Sequence, residues 1–374
     1  MAGLYIHIPF CSEKCLYCDF FSGNQLYLMN DYVEAVCREI VTRKDYIFDN
    51  KINTIYFGGG TPSLLSEFHF RQFFHTIFSH YEVDVDAEIT IECNPENIDR
   101  DYLDLLFEMG FNRISLGIQF LEDNVLKKYN RHHTKELIIN ALICIGNSKF
   151  TNLSVDLIYS VPEIGNSLLR NALSRLLDFD IKHISAYSLT VSKNSQLFWK
   201  IRKGEILEGN ESNFLAQYKI IDDFCERNGF LQYEVSNYAK QGYISKHNLS
   251  YWNQDIYVGV GVTAHSYNLL SRQWNHSNIK KYIRESEINI FAAEIEKLTD
   301  IQLYNEYVIL RLRTFLGLSS AYVKERFNAD IYKYFVRNLN ILIGKNHFNC
   351  EGDLVIPRKE DFLLADYLAK SLML

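Results

Sequence analysis

Leu4-Tyr5-Ile6-His7-Ile8-Pro9-Phe10-Cys11-Ser12-Glu13-Lys14-Cys15-Leu16-Tyr17-Cys18-Asp19-Phe20 opens the chain with a short strand-like run and follows it at once with three cysteines. Three thiols this close together hold a metal centre or form disulfides. A structural zinc site needs four ligands to close its tetrahedron and iron-sulfur clusters usually take four cysteines, so a set that stops at three points to a cluster with one iron left open. An open iron can bind a substrate or cofactor. Two other readings stay open here, a zinc knuckle completed by His7 or Asp19 and a pair of redox-active thiols, although those motifs ordinarily place two residues between cysteines.

Runs like the first recur through the first half of the chain, at 4–8, 54–57, 88–92, 113–118, 153–158 and 183–189. Helical patterns lie between them. Val33, Val36, Cys37, Ile40 and Val41 follow a helical period behind an expected Asp31 cap, and Leu103, Leu106 and Phe107 run to a terminating Gly110. Alternation of strand and helix means parallel pairing, because parallel neighbours need a crossover, and right-handed crossovers repeated in one direction curl the sheet into a complete or partial barrel. Each run also ends at something chemical: the cysteine loop, Gly58-Gly59-Gly60-Thr61-Pro62, Glu92, Gln119, Asp156, and the pair Tyr187 and Ser188. The carboxyl ends of parallel strands carry active sites, so these distant residues are expected at one mouth.

Past residue 200 the alternation weakens. A helix is expected over 214–224, ending at Asn228-Gly229, and then Tyr233 to Tyr238, His247-Asn248-Leu249-Ser250-Tyr251-Trp252 and a glycine-containing run from Tyr257 to Ser266 add to the substrate side. From Phe291 an amphipathic, helical region is expected, with a hairpin turn at Glu351-Gly352-Asp353 and a last helix. The expected domains are therefore a barrel at 1–225, a barrel-completing segment at 226–290, and a helical or winged-helix-like domain at 291–374. There is no internal repeat and no low-complexity linker.

The 374 residues suit such a barrel with an appendage and suffice for a large core. With 39 basic and 46 acidic residues the formal net charge is −7, which argues against a nucleic-acid or anionic-membrane partner. No signal segment precedes Cys11 and no apolar stretch is long enough to span a bilayer, so the eight cysteines are expected in a reducing cytoplasm and not in a disulfide framework. Cys37, Cys93, Cys144, Cys225 and Cys350 read as packing residues among apolar neighbours.

The glycines at 58–60 let the backbone approach a ligand and present amide donors, and they belong to neither the phosphate-loop nor the dinucleotide pattern. Glu92, Gln119, Arg131 and Asp156 add two acids, an amide and a guanidinium, able to hold ammonium, carboxylate and hydroxyl groups.

From Tyr5 onward the chain resembles the HemN/HemW branch of the radical S-adenosylmethionine (SAM) superfamily. The likeness rests on Tyr5-Ile6-His7-Ile8-Pro9-Phe10-Cys11 with its three-then-two cysteine spacing, GGGTPS at 58–63, Ile91-Glu92-Cys93-Asn94-Pro95, Ser115-Leu116-Gly117-Ile118-Gln119-Phe120 and Asp156-Leu157-Ile158-Tyr159. The resemblance implies a partial (β/α)6 TIM-like barrel. It implies a [4Fe-4S] cluster on Cys11, Cys15 and Cys18, and SAM contacts from Tyr5, Tyr17, Gly59, Gly60, Thr61, Glu92, Gln119, Arg131 and Asp156, which divide between two SAM molecules in some members.

Within the branch, oxygen-independent coproporphyrinogen III oxidases carry a fourth cysteine two residues after the third and a longer N-terminal extension, whereas this chain has Phe20 there and starts ten residues before Cys11. His247-Asn248-Leu249-Ser250-Tyr251-Trp252 matches the HNxxYW motif of the HemW heme chaperones. That likeness implies heme as ligand, His247 as a candidate for the iron, a heme-acceptor protein such as a respiratory cytochrome, and a flavodoxin or ferredoxin as electron donor. An imidazole can ligate heme iron. A packing role, with His247 and Asn248 bonded to backbone and Tyr251 and Trp252 covering the barrel floor, is the competing reading. The oxidase and a radical SAM methyltransferase remain as alternative functions. His132, His133, His183 and His265 are assigned polar packing only.

Overall fold

Residues 2–47 and 50–374 are described by a computed structural model. Strands β1 (Ala2–Ile8), β2 (Lys51–Gly59), β3 (Glu82–Cys93), β4 (Arg113–Gln119), β5 (Leu153–Tyr159) and β6 (His183–Ser188) lie side by side in sequence order, all parallel. Between them run α1 (Met29–Thr42), α2 (Glu67–His80), α3 (Arg100–Glu108), α4 (Asp123–Lys128) with α5 (Lys135–Gly146), and α6 (Asn166–Leu176). After β6 come α7 (Gln196–Arg202) and α8 (Glu211–Arg227), then the antiparallel pair β7 (Leu231–Glu234) and β8 (Asn237–Ala239) beside β6, and then the short helix α9 (Lys246–Trp252). β9 (Ile256–Val260) returns to lie parallel to β1, and β10 (His265–Tyr267), β11 (Ser271–Asn275), α10 (Ile279–Ser286) and β12 (Ala292–Lys297) follow, their strands extending that edge antiparallel. The sheet order is β12-β11-β10-β9-β1-β2-β3-β4-β5-β6-β8-β7, a barrel-like sheet left open between its two edge strands.

A strict alternation along the parallel strands explains which face does what. Leu4, Ile6 and Ile8, Ile55 and Phe57, Ile89 and Ile91, Ile114, Leu116 and Ile118, and Val155 and Leu157 are buried in the apolar core beneath the crossover helices. Their neighbours in sequence, Tyr5, Tyr56, Glu92, Ser115, Asp156 and Ser185, point the other way and line the interior. The outer layer is well filled: Phe57 meets Phe70, Phe73, Phe74 and Phe111 with ring centroids 5.2 to 5.9 Å apart. Each ring buried there stabilises the sheet-helix contact by roughly 1.5–3 kcal/mol.

Five of the six expected strand runs lie wholly in strands and the sixth, 183–189, outlasts β6 by Leu189 alone, and the mixed α/β class with a parallel sheet is the observed one. Three local expectations are corrected. Asp31 does not cap α1; the cap position is Leu28, and Asp31 sits in the first turn, where its charge complements the helix dipole. Residues 292–297 form edge strand β12 on the large sheet instead of helix, because Glu294, Ile295 and Glu296 follow the two-residue period of a solvated edge. Cys350 is exposed on a hairpin and not a buried packing residue, whereas Cys93 and Cys225 are buried and Cys37 and Cys144 half-buried.

Beyond β12 the chain forms α11 (Asp300–Leu312), β13 (Leu318–Ser319), α12 (Ser320–Arg326), α13 (Ala329–Gly344), β14 (Phe348–Glu351), β15 (Leu354–Pro357) and α14 (Ala365–Leu372). A three-stranded sheet and these helices enclose a second core around Tyr304, Val308, Leu312, Phe335 and Leu368. The β14–β15 turn holds Gly352 at φ +62°, the conformation for which glycine is suited. Backbone bonds from Val235 N–H to Arg313 O (3.0 Å) and from Phe315 N–H to Tyr233 O (3.1 Å) tie this region to the end of the large sheet. Among the described residues no helix is long and apolar enough to cross a membrane.

Candidate functional site

The cysteine loop leaves β1 at Pro9 and is fixed at its base, where Cys11 N–H donates to Gly23 O (3.0 Å) and Gly23 N–H to Pro9 O (2.8 Å). Its far side is held from neighbouring loops by Leu16 N–H to Tyr129 O (3.1 Å) and Leu197 N–H to Leu16 O (2.8 Å). Thr61 Oγ1 donates to Cys11 Sγ and Arg131 Nη1 to Cys15 Sγ, each at 3.5 Å. Such donors, and above all a guanidinium, favour the thiolate that a metal requires. Burial, with Cys15 and Cys11 close by, pushes the Cys18 thiol up to about 11, so without a metal it keeps its proton at neutral pH.

His7 lies behind this loop with both ring nitrogens engaged. Nε2 meets Phe21 O at 3.1 Å, so it carries the proton, and Nδ1 accepts from Tyr5 Oη at 3.0 Å. Burial lowers the imidazole to about 4, which keeps it neutral. His7 therefore has no nitrogen to complete a zinc site. Among the described residues no three Cys, His, Asp or Glu side chains gather as they would around one metal ion; a cluster, by contrast, spreads its thiolates over separate irons.

The glycine run at the end of β2 is dictated by crowding. Gly59 has φ +114°, and a Cβ there would stand 2.5 Å from the His7 ring, while a Cβ on Gly60 would stand 2.6 Å from Phe10 O. Gly59 N–H donates to Glu92 Oε2 (3.0 Å), and Tyr56 Oη donates to Glu92 Oε1 (2.8 Å). Despite these donors Glu92 is pushed up to about 7, first by burial and then by Asp156. Asp156 is raised as well, chiefly by burial, while accepting from Ser115 Oγ at 3.2 Å. Two buried carboxylates at odds with each other make this wall receptive to a cation.

Gln119 ends β4 at φ +59°, a left-handed conformation that costs a non-glycine residue energy and clusters at functional sites. Arg131 donates through Nη2 to Gly117 O (2.9 Å), but its buried Nε has no partner. Tyr17 packs edge-on against Phe120. All of Tyr5, Tyr17, Gly59, Gly60, Thr61, Glu92, Gln119, Arg131 and Asp156, and the three cysteines, line one cavity of ≈ 490 Å³, a volume suited to a small-molecule ligand.

His247 lines the same cavity from the opposite end. Its helix, α9, covers the amino ends of the strands: His247 N–H (2.9 Å) and Lys246 N–H (3.1 Å) donate to the buried carboxylate of Glu88 on β3, joined by Ser245 Oγ at 3.3 Å. The ring nitrogens of His247 are both engaged, Nδ1 with Thr54 Oγ1 (2.7 Å) and Nε2 with Tyr251 Oη (2.8 Å), and the ring stacks on Tyr56 at 5.0 Å. Burial lowers it to about 3. Iron at Nε2 would have to displace Tyr251.

Comparison with known proteins agrees with this arrangement. Residues 5–175 match the Radical SAM superfamily. The heme chaperone HemW of Bacillus subtilis is 31% identical over 351 residues, 92% of this chain and 92% of the relative. That of Buchnera aphidicola subsp. Acyrthosiphon pisum is 31% identical over 363 residues, 94% and 93% of the two chains. The chain belongs to the HemW family of radical SAM proteins. Among solved structures, coproporphyrinogen III oxidase (HemN) from Escherichia coli superposes with a TM-score of 0.85 over 99% of this chain and 89% of that one, at 22% identity, a likeness of fold.

Membership of the radical SAM superfamily implies a [4Fe-4S] cluster and SAM, and the side chains fit both. The cysteine loop offers three thiols with a hydroxyl and a guanidinium donating to them, and the adjoining wall sets buried carboxylates beside glycines that have no room for a Cβ. Tyr56, Arg113 and Ser185 also line the cavity without a role expected for them from the sequence; Ser115, Tyr233 and Asn248, which enter the sequence reading only within longer runs, line it too, as does His183, expected to serve polar packing. Counting back in twos from Gln119, Asp156 and Tyr187 reaches Arg113, Ser115, Ser154, His183 and Ser185, so the two-residue period was the signal that could have found the strand residues.

Proposed function

We propose that this protein binds heme and passes it to an acceptor protein, with a [4Fe-4S] cluster on Cys11, Cys15 and Cys18 and SAM in the adjoining cavity. The observation that carries the proposal is the match, over more than nine tenths of both chains, to relatives named heme chaperone HemW. The HemN likeness, at 22% identity, bears on fold and does not favour the oxidase.

Cys11, Cys15 and Cys18 would hold the cluster, which would supply one-electron reduction chemistry beside SAM. The chain's own part is binding and orientation. Glu92 and Asp156 hold an ammonium or hydroxyl group, Gly59 and Gly60 bring amides close, Tyr5 and Tyr17 wall off water, and Thr61 and Arg131 sustain the thiolates. An acceptor such as a respiratory cytochrome and a flavodoxin- or ferredoxin-type donor complete the cycle we propose. His247 enters as iron ligand only by exchanging Tyr251 for iron at Nε2; otherwise it holds the floor.

The test is a heme titration of the anaerobically reconstituted protein, followed in the Soret band, beside His247→Ala. Saturable one-to-one binding supports the chaperone reading, and its absence defeats it. Loss of the axial-ligand signature in the variant, with thermal unfolding intact, would assign the iron to His247.

A further inference from the structure

Arg113 opens β4 at the floor of the cavity and is 2% exposed. It is a cavity-lining residue, its buried Nε has no partner, and among the described residues its guanidinium makes no hydrogen bond and no ion pair. Burying a guanidinium without partners is costly, and five fixed donors call for a planar acceptor.

The acidic groups around it are already occupied. Glu88 accepts from Ser245, Lys246 and His247, and Asp156 accepts from Ser115. Tyr233 Oη meets His183 Nε2 at 2.9 Å and accepts from Asn248 Nδ2 at 2.9 Å, and Tyr56 donates to Glu92. These carboxylates hold Arg113 in its charged form but leave its donors facing the cavity. The contrast with Arg43 is instructive: that buried arginine bonds both Glu39 (2.6 Å) and Asn275 (2.7 Å), as a purely structural guanidinium does.

We propose that Arg113 anchors a carboxylate group of a ligand reaching the cavity floor, as a binding residue distinct from the cysteine-side wall. The class is carboxylate and not phosphate, since Glu88, Glu92 and Asp156 ring the subsite and would oppose a dianion more strongly than a monoanion. Two sources carry that group, a tetrapyrrole with side-chain carboxylates and the amino-acid end of a second SAM molecule, the first being the one held at the cysteine loop. The tetrapyrrole source rests on the heme reading above, and the SAM source does not.

Equilibrium titrations with three probes separate these cases: heme, heme dimethyl ester and SAM, each against wild type, Arg113→Gln and Arg113→Lys, with thermal unfolding as the control on folding. The proposal expects Arg113→Gln to weaken binding of heme or SAM at least tenfold, with partial recovery in Arg113→Lys. Weakened heme binding, together with a tenfold poorer fit of the ester to wild type, identifies the tetrapyrrole; weakened SAM binding identifies the amino acid. Unchanged affinity of folded Arg113→Gln for both heme and SAM overturns the proposal. If neither variant folds, wild type decides: equal affinity for heme and its ester overturns the tetrapyrrole anchor. Failure of wild type to bind heme sinks the chaperone reading and leaves the SAM arm to judge Arg113.

Discussion

Replacing Glu92 by glutamine should make this protein more stable at alkaline pH. The carboxyl is buried and pushed from 4.5 to about 7, mainly by burial and next by Asp156. The folded chain therefore retains a proton that the unfolded chain releases, so stability falls as pH rises from about 4.5 to about 7 and then levels off. The whole rise corresponds to on the order of 3 kcal/mol. Glutamine removes that penalty, while its carbonyl keeps one of the two bonds from Gly59 N–H and Tyr56 Oη and its amide can donate to the Tyr56 oxygen. Allowing about 1 kcal/mol for the imperfect exchange, Glu92→Gln should exceed wild type by about 1–3 kcal/mol at pH 8 and fall level with it or below it at pH 5. Chemical denaturation of both proteins, reconstituted alike, measures the difference at each pH, and pH effects from the cysteine loop cancel in that difference. A variant less stable than wild type by the same amount at both pH values would refute the reasoning. The same variant should bind SAM at least tenfold more weakly, because a cationic ligand group loses its carboxylate.

Two further outcomes follow from the loop and the glycine run. Gly59→Ala forces a Cβ within 2.5 Å of His7 at φ +114°, and should cost roughly 1–3 kcal/mol in unfolding free energy, read in a denaturant titration, with weakened SAM binding. Cys15→Ala should reduce iron retained per chain after reconstitution to near background, whereas Cys350→Ser, on an exposed hairpin, should retain it fully.

Much of this architecture was legible because parallel strands buried on their helix side keep an unbroken apolar phase: Leu4, Ile6 and Ile8 or Ile114, Leu116 and Ile118 can be read directly. Strand ends carried the polar side chains of the mouth, and Glu92, Gln119 and Asp156 all line the cavity. The floor was harder to read. Arg113 and His183 stand at strand beginnings, where polar residues are ordinarily solvated, yet both are buried, His183 between Ser154 of β5 and Tyr233 of β7. Nor could residue types reveal that both nitrogens of His247 are engaged, since Thr54 and Tyr251 reach it from β2 and from its own helix. The strand at 292–297 escapes such a reading because Ile295 is left exposed between Glu294 and the half-buried Glu296, so no buried apolar phase marks it.

The plug that α9 makes across the amino ends of the strands has a consequence for occupancy. Ser245, Lys246 and His247 close on Glu88 there, and the cysteine loop stands at the other end of the same cavity. A guest at the mouth and a guest on the floor would share that one space, each taking volume and wall contacts from the other. Their affinities would then be linked, reciprocally and without any movement of the fold.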